Sequence, residues 1–329
     1  MIRLLFLIGW SSFLFAKVVC IVPFHGCGID SLFYSPGALR DEIGKPFYKL
    51  REGLERKGYE VKFTADGRGV GEADAVISFE ADPFLLTNLS KLGKDRRLLF
   101  CFEPPVVVPG FYDRNLTRYF GKIFVMFDDF VDNREYFKFC YPQPRLEMRR
   151  PSVPFEVRKL CAMIAGNKDS AHPQSLYGER RKAIQFFEKL SREGVDDFDL
   201  FGTGWDGWPL WRGTVGKKWD AYGNYRFAIC YENMREQRGY ITEKIFDALV
   251  AGCVPVYLGA ENIGEYVPET CFIDRRKFSS DEALYRFLKE MGKEEHARYL
   301  DAIESYLRSA KASRFSVDAF VELVLSHLP

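Results

Sequence analysis

Two blocks of short apolar runs alternating with helix-patterned segments, divided by one proline- and arginine-rich stretch, constrain this chain more than any other feature. Short apolar runs bounded by turn residues read as strands buried on both faces, and segments with apolar residues every three or four positions read as the helices that cover them. In the first block strands are predicted at 18–23, 60–64, 75–79, 98–102 and 123–127. Pro46 opens a helix whose Phe47, Leu50 and Leu54 share a face, and Gly58 ends it. Residues 141–155, with four prolines and Arg145, Arg149 and Arg150, read as a linker. Beyond it strands are predicted near 160–164 and at 198–201, 227–231 and 254–258, with helices at about 179–190 and 243–251. Leu284, Phe287, Leu288 and Met291, then Phe320, Val321, Val324 and Leu325, repeat at helical spacing and are predicted to pack. No internal sequence repeat is visible. The pattern predicts an α/β fold of two domains, 17–150 and 151–329, with a ligand cleft between them, because parallel sheets bind at the carboxyl ends of their strands.

Length supports that division, since single cores stop growing near roughly 250 to 300 residues and this chain has 329. Its 47 Lys and Arg balance 46 Asp and Glu, which argues against a chain-wide polyanion binder and predicts no nucleic-acid partner. With 47% apolar and 16% aromatic residues, disorder does not describe the whole. The 8 cysteines form no CxxC pair and the histidines at 25, 172, 296 and 327 are scattered, so no structural zinc site is predicted. Cys20, Cys101, Cys230 and Cys253 lie in apolar runs and read as small core residues.

Residues 1–16 carry one cation and then an apolar run, shorter than the ~20 residues a spanning helix needs. Two readings stand: a signal or short anchor segment, and an apolar extension packed on the protein. The first leads to an expectation of membrane association, on the cytoplasmic face in a bacterium or in the Golgi lumen in a eukaryote. There Asn88-Leu89-Ser90 and Asn115-Leu116-Thr117 would be glycosylation acceptors. Arg145, Arg149 and Arg150 read as a solvated linker face, with peripheral contact to anionic lipid as the other reading.

The run 231–259 carries the chemistry. A buried strand ends in Tyr231-Glu232-Asn233, a loop crosses Gly239, Thr242 is placed to cap a helix, and Gly252 ends that helix before a new strand. Lys244 is a cation in the first turn, opposing the positive end of the helix dipole. The arrangement becomes favourable when Lys244 and the free helix amides share an anion such as a diphosphate. Glu243 is suited to accept hydrogen bonds from a ribose diol, and Tyr240 to stack on or bond to the nucleotide. On pattern alone, two solvated first-turn charges are the favoured reading.

This run resembles the C-terminal signature of the α-1,3-fucosyltransferases, the inverting, GDP-fucose-dependent glycosyltransferase family 10. The resemblance rests on Tyr231-Glu232-Asn233, a polar loop, Tyr240-Ile241-Thr242-Glu243-Lys244, a helix, and Ala251-Gly252-Cys253-Val254-Pro255-Val256-Tyr257-Leu258-Gly259. It extends weakly to Phe201-Gly202-Thr203-Gly204-Trp205, to Tyr225-Arg226-Phe227 and to 266–272, so it covers the second half firmly and the first loosely. Tyr231 stands where phenylalanine is usual, and the loop to Tyr240 is one residue longer. The resemblance implies that Asn233, Tyr240, Glu243 and Lys244 hold the GDP-sugar. It also implies a phosphate-binding arginine in 177–182: Arg180 fits better than Arg181, since Ile184 and Phe187 then follow at four and seven residues.

A GT-B fold is implied by the same resemblance: two Rossmann-like α/β domains, the acceptor site in 17–150 and the GDP-sugar site in 151–329. The implied reaction is transfer of L-fucose from GDP-β-L-fucose to an N-acetylglucosamine- or lactosamine-containing glycan, α-1,3 or α-1,4, with inversion. No cofactor is required and no metal ligand is assigned, a divalent metal acting at most as a stimulant. Acceptor reading is expected from first-half loops such as 24–37. The alternatives are another nucleotide-sugar donor or acceptor, and a non-catalytic nucleotide- or glycan-binding protein.

Inverting transfer needs one general base; the nucleotide leaves charged, so no second carboxylic acid is required. Strand ends offer Glu80, Glu103, Asp128 and Asp129, and the residues alone do not choose among them. The family resemblance selects Glu103, which stands before Pro104-Pro105, with Glu80 as the rival. Asp128-Asp129 reads as a solvated strand end rather than a metal pair.

Overall fold

The computed structural model describes residues 17–35, 37–81 and 83–329; the 1–16 segment, for which a leader, anchor or packed extension is expected, lies outside them. The first sheet comprises β1 (Lys17–Val22), β2 (Tyr59–Phe63), β3 (Ala75–Ser78), β4 (Arg97–Phe100), β5 (Lys122–Val125) and β6 (Tyr136–Lys138), in the order β2-β1-β3-β4-β5-β6. The second comprises β7 (Lys159–Ile164), β8 (Phe198–Phe201), β9 (Tyr225–Tyr231), β10 (Val254–Leu258) and β11 (Ile273–Asp274), in the order β11-β10-β9-β7-β8. Every paired strand is parallel. Each block, counted from its own first strand, winds 2-1-3-4-5, with a sixth strand added at the edge of the first, so the topology repeats although the sequence does not. Each sheet therefore reverses strand order between its first and third strands, and a crevice opens there at the carboxyl ends.

The unbroken apolar runs follow from this placement. Val19, Ile21, Ile77, Leu98, Phe100 and Phe124 face one core, while Cys20, Val22, Val76, Leu99, Ile123 and Val125 face another on the opposite side. Phe79, Phe102 and Phe127 lie just past their strand ends yet are buried. The runs outlast the strands because these rings pack in the core: Phe79 and Phe102 meet edge-to-face at 5.7 Å, and Phe127 stacks on Tyr112 at 5.0 Å.

The helix Lys45–Arg56 covers the first sheet with Phe47, Leu50 and Leu54. The last helix, Val317–Ser326, packs beside it: Phe320, Val321 and Val324 belong to the same core. Gly53 permits the approach, since a Cβ there would stand 2.8 Å from Val321 Cγ1. The chain thus crosses between the two sheets twice, once at 141–155 and again as it enters this helix.

The 141–155 segment is strapped down at several points. Gln143 N–H donates to Phe315 O at 2.7 Å, and Arg145 pairs with Glu42 at 3.1 Å. Arg149 pairs with Asp220, and Arg150 with Asp301 and Glu304. The basic cluster is thus matched by the protein's own carboxylates. Among the described residues no helix is long and apolar enough to cross a membrane, which corrects the expectation of membrane association.

Candidate functional site

A cavity of about 350 Å³ lies at the switch point of the second sheet, walled by residues 163–166 at and beyond the end of β7 and 229–231 at the end of β9. The first half contributes Arg40, Phe102 and Glu103, and the crossing segment contributes Tyr141. Of the residues singled out from sequence, Glu103, Arg180, Asn233, Tyr240, Glu243 and Lys244 all line it, and Arg181 does not.

Arg180 sits in the first turns of the helix Tyr177–Arg192 and is buried. Its Nε and Nη2 donate to Tyr231 O, at 3.2 and 2.7 Å, and Nη2 also donates to Asn233 Oδ1 at 2.9 Å. Nη1 has no partner among the described residues and is available to an anion in the cavity. Burial lowers the Arg180 pKa, which marks a cation placed where a counter-charge is welcome. Arg181 points elsewhere: it donates to Lys168 O at 2.9 Å and to Asp169 at 2.7 Å, shaping the loop that brings Lys168 to the cavity.

The expected cap at Thr242 is not made through its side chain. Its hydroxyl donates instead to Glu232 Oε2 at 2.7 Å and its N–H donates to Oε1 at 2.8 Å. Glu232 is fully buried at the end of β9 and lies 3.4 Å from Lys244 Nζ. Lys244 Nζ is also 3.2 Å from Glu243. Burial opposes charge on both Glu243 and Lys244 and is the largest single influence on each, but the neighbouring charges together outweigh it. Lys244, with Lys218, holds Glu243 down at about 2, and Glu243, with Glu232, raises Lys244. Lys244 is therefore a fixed cation in the first turn of the helix Glu243–Val250, whose opening amides receive no side-chain cap.

The loop before Tyr240 is set by the other half of the molecule. Gly239 has φ of +77°, and a Cβ there would collide with the Asp128 carboxylate and the Lys138 ammonium. Asp128 is not a solvated strand end: its N–H donates to Arg238 O at 2.9 Å, and its carboxylate pairs with Lys138 at 2.7 Å. Tyr266 OH donates to Oδ1 at 2.5 Å and Asn262 Nδ2 to Oδ2 at 2.9 Å, both from the second half. Burial works against the Asp128 charge, but Lys138 and Tyr266 prevail and lower its pKa. Asp129 is exposed, 3.7 Å from Arg238. Tyr240 consequently packs edge-on to Phe127 at 5.7 Å, within the core of the first sheet.

Glu103 faces the cavity from the end of the strand region after β4 and has no hydrogen-bond partner among the described residues. Burial raises its pKa, with Lys244 drawing it back and Glu243 pushing it further up. Glu80 is engaged otherwise: it accepts from His25 N–H at 2.8 Å, tying down the chain just after β1, and it does not line the cavity.

Several lining residues escape sequence reasoning. Lys218, which pairs with Asp247 at 2.6 Å, and Arg40 carry no local signal, since distant segments deliver them. Asp247 was within reach, because four residues beyond Glu243 places it on the same helix face. Together the cations Arg40, Lys168, Arg180, Lys218 and Lys244 outnumber the carboxylates Glu103, Glu243 and Asp247 around the cavity, an excess that suits a polyanionic group.

Residues 165–315 match the family model described as glycosyltransferase family 10 (fucosyltransferase), C-terminal part. The chain is 40% identical over 72 residues to an alpha-(1,4)-fucosyltransferase of Arabidopsis thaliana, covering 22% of this chain and 18% of that protein. It is 30% identical over 188 residues to alpha-(1,3)-fucosyltransferase 7 of Bos taurus, covering 56% of this chain and 50% of that protein. The chain thus spans half or less of the length of these curated relatives. A solved α1,3-fucosyltransferase with GDP-fucose superposes at a TM-score of 0.55 and 14% identity, over 94% of this chain and 90% of that one. At that identity the likeness shows the fold, and the fold is the expected GT-B arrangement of two α/β sheets about a cleft. The wall that carries Arg180, Asn233, Tyr240, Glu243 and Lys244 therefore lies wholly within the segment that matches the glycosyltransferase family 10 C-terminal domain.

Proposed function

We propose that the protein transfers L-fucose from GDP-β-L-fucose to a hydroxyl of an N-acetylglucosamine- or lactosamine-containing glycan, forming an α-1,3 or α-1,4 linkage with inversion. The observation that carries this reading is Glu103, a carboxylate without a hydrogen-bond partner among the described residues that shares one cavity with the cations Arg180 and Lys244. In the proposed reaction the acceptor oxygen bonds to the anomeric carbon as the bond from that carbon to the diphosphate oxygen breaks. The acceptor proton passes to Glu103, and GDP leaves with the bonding pair. Arg180 Nη1, Lys244 and the uncapped amides of the helix Glu243–Val250 receive the charge that develops on the diphosphate. Burial around Glu103 raises its affinity for the proton, as a general base requires. The relatives' names support the donor: they are fucosyltransferases, and the solved structure was obtained with GDP-fucose.

The test is product formation from GDP-fucose with a glycan panel that includes N-acetyllactosamine, run beside Glu103→Gln. Product with wild type and none with the variant supports the reading. GDP binding without transfer to any acceptor would remove the fucose assignment, and absence of GDP binding would remove the nucleotide site.

A further inference from the structure

A side lobe of about 30 Å³ adjoins the cavity and shares Phe102, Tyr141, Lys218, Glu243 and Asp247 with it. Its remaining walls are mostly apolar, from Pro46, Phe47, Pro142 and Pro144, but Asp41 also reaches it. The Asp41 side chain is 3% exposed. Its Oδ1 accepts from Lys218 N–H at 2.7 Å, across the two halves, whereas Oδ2 is buried without a hydrogen bond among the described residues. The nearest cation to Oδ2 is Arg40 Nε at 3.7 Å, beyond hydrogen-bond range. A buried carboxylate oxygen left without a donor is costly, and such groups are usually matched by a ligand or an ordered water.

The backbone points the same way. Asp41 and Glu42 both have left-handed φ, 56° and 55°. Two successive non-glycine residues hold that conformation only where their surroundings over-determine it, and such strain gathers at ligand sites. Here Asp41 is held by Lys218 N–H and Glu42 by Arg145.

The geometry points to the lobe as a subsite for one hydroxyl of the transferred sugar, with Asp41 Oδ2 as its hydrogen-bond acceptor. Its volume suits a group of hydroxyl or water size. Lys218 is already paired with Asp247, so the group missing from the lobe is a donor, which a sugar hydroxyl supplies. Its place in the cavity sets it apart from the diphosphate: the lobe is walled by Phe102, next to Glu103, while Arg180 and Asn233 lie outside it, and because Glu243 also walls it the affinity for GDP separates the sugar from the ribose. The first half then reads the donor sugar directly. This inference rests on the GDP-fucose reading and adds a specificity-determining residue to it.

The experiment compares GDP-fucose with its 2-, 3- and 4-deoxyfucose analogues on wild type and Asp41→Asn, with GDP affinity measured for both. Asparagine keeps an oxygen for Lys218 N–H while removing the second acceptor. The expected result is that wild type loses about 10- to 100-fold in kcat/KM with one analogue. In Asp41→Asn that analogue and GDP-fucose should approach parity, with Kd for GDP unchanged. Equal use of all the analogues by wild type overturns the inference without any variant. So does unchanged discrimination in Asp41→Asn, or a loss of affinity for GDP itself, which would assign the lobe to the nucleotide. Failure of wild type to use GDP-fucose while GDP binds removes the donor reading and this inference with it.

Discussion

Arg180 Nη2 bridges Tyr231 O and Asn233 Oδ1, at 2.7 and 2.9 Å, so one buried cation fixes both the end of β9 and the amide that follows it. Arg180→Ala leaves those acceptors without a donor. It is expected to destabilise the fold by roughly 3 kcal/mol and to abolish GDP protection. Arg181→Ala should leave the melting temperature unchanged, since its carboxylate partner Asp169 is exposed, and it should weaken GDP only through the Lys168 loop. Thermal shifts with and without GDP separate the two arginines.

Lys244 lies among Glu232, Glu243 and the first-turn amides, so its positive charge is what turns this acidic corner toward an anion. Saturating GDP at about 100 times its Kd should stabilise wild type by roughly 2.7 kcal/mol. Lys244→Ala should show no such gain, and Lys244→Arg should retain part of it.

Glu103→Gln should lower kcat by about 100- to 10,000-fold while leaving Kd for GDP near the wild-type value. The ionised form is the active base, and burial raises its pKa. Activity is therefore present at higher pH and is lost as pH falls through a value raised above that of an ordinary glutamate. A pH profile of kcat/KM with its acidic limb at the ordinary glutamate value would remove Glu103 from the role.

Asp128 joins Lys138 to Tyr266 and Asn262 across the halves. Asp128→Ala should cost roughly 3 kcal/mol, because the partly buried Lys138 loses its counter-charge. Hydrogen exchange should quicken in residues 234–240, whose Gly239 rests on that carboxylate. An exchange pattern confined to 122–138 would show that the loop is held by other contacts.

His296 is buried with Nε2 3.0 Å from Arg226 O, and burial lowers its pKa from 6.5 to about 4. Above 6.5 it is neutral in both folded and unfolded chains and stability does not respond. Between 6.5 and about 4 only the unfolded chain takes up the proton, so stability is lost as pH falls, by up to about 3 kcal/mol. Denaturant midpoints in this window should flatten in His296→Gln relative to wild type.

The alternating pattern made the strands legible: 198–201 and 254–258 coincide with β8 and β10, and the other predicted strands overlap theirs. It missed β6 and β11, strands of three and two residues, because so short an edge carries no period. Asn233, Tyr240, Glu243 and Lys244 could be singled out because they sit in one contiguous motif, and Arg180 only because the separate segment 177–182 resembles the family's. Asp41, Lys218 and Asp128 were not legible, since their significance comes from neighbours more than a hundred residues away, such as Lys218 for Asp41 and Tyr266 for Asp128. The spacing of Phe320, Val321 and Val324 marked a helix but said nothing about which sheet receives it.

That last helix bears on biosynthesis. Phe320, Val321 and Val324 complete a core whose other walls come from β1, β3, β4 and the helix Lys45–Arg56. A nascent chain therefore cannot close its first sheet when residue 150 emerges, as an independent N-terminal domain would. It must hold an apolar face open until the final helix leaves the ribosome. Removing 317–329 should consequently harm the half made first more than the half made last.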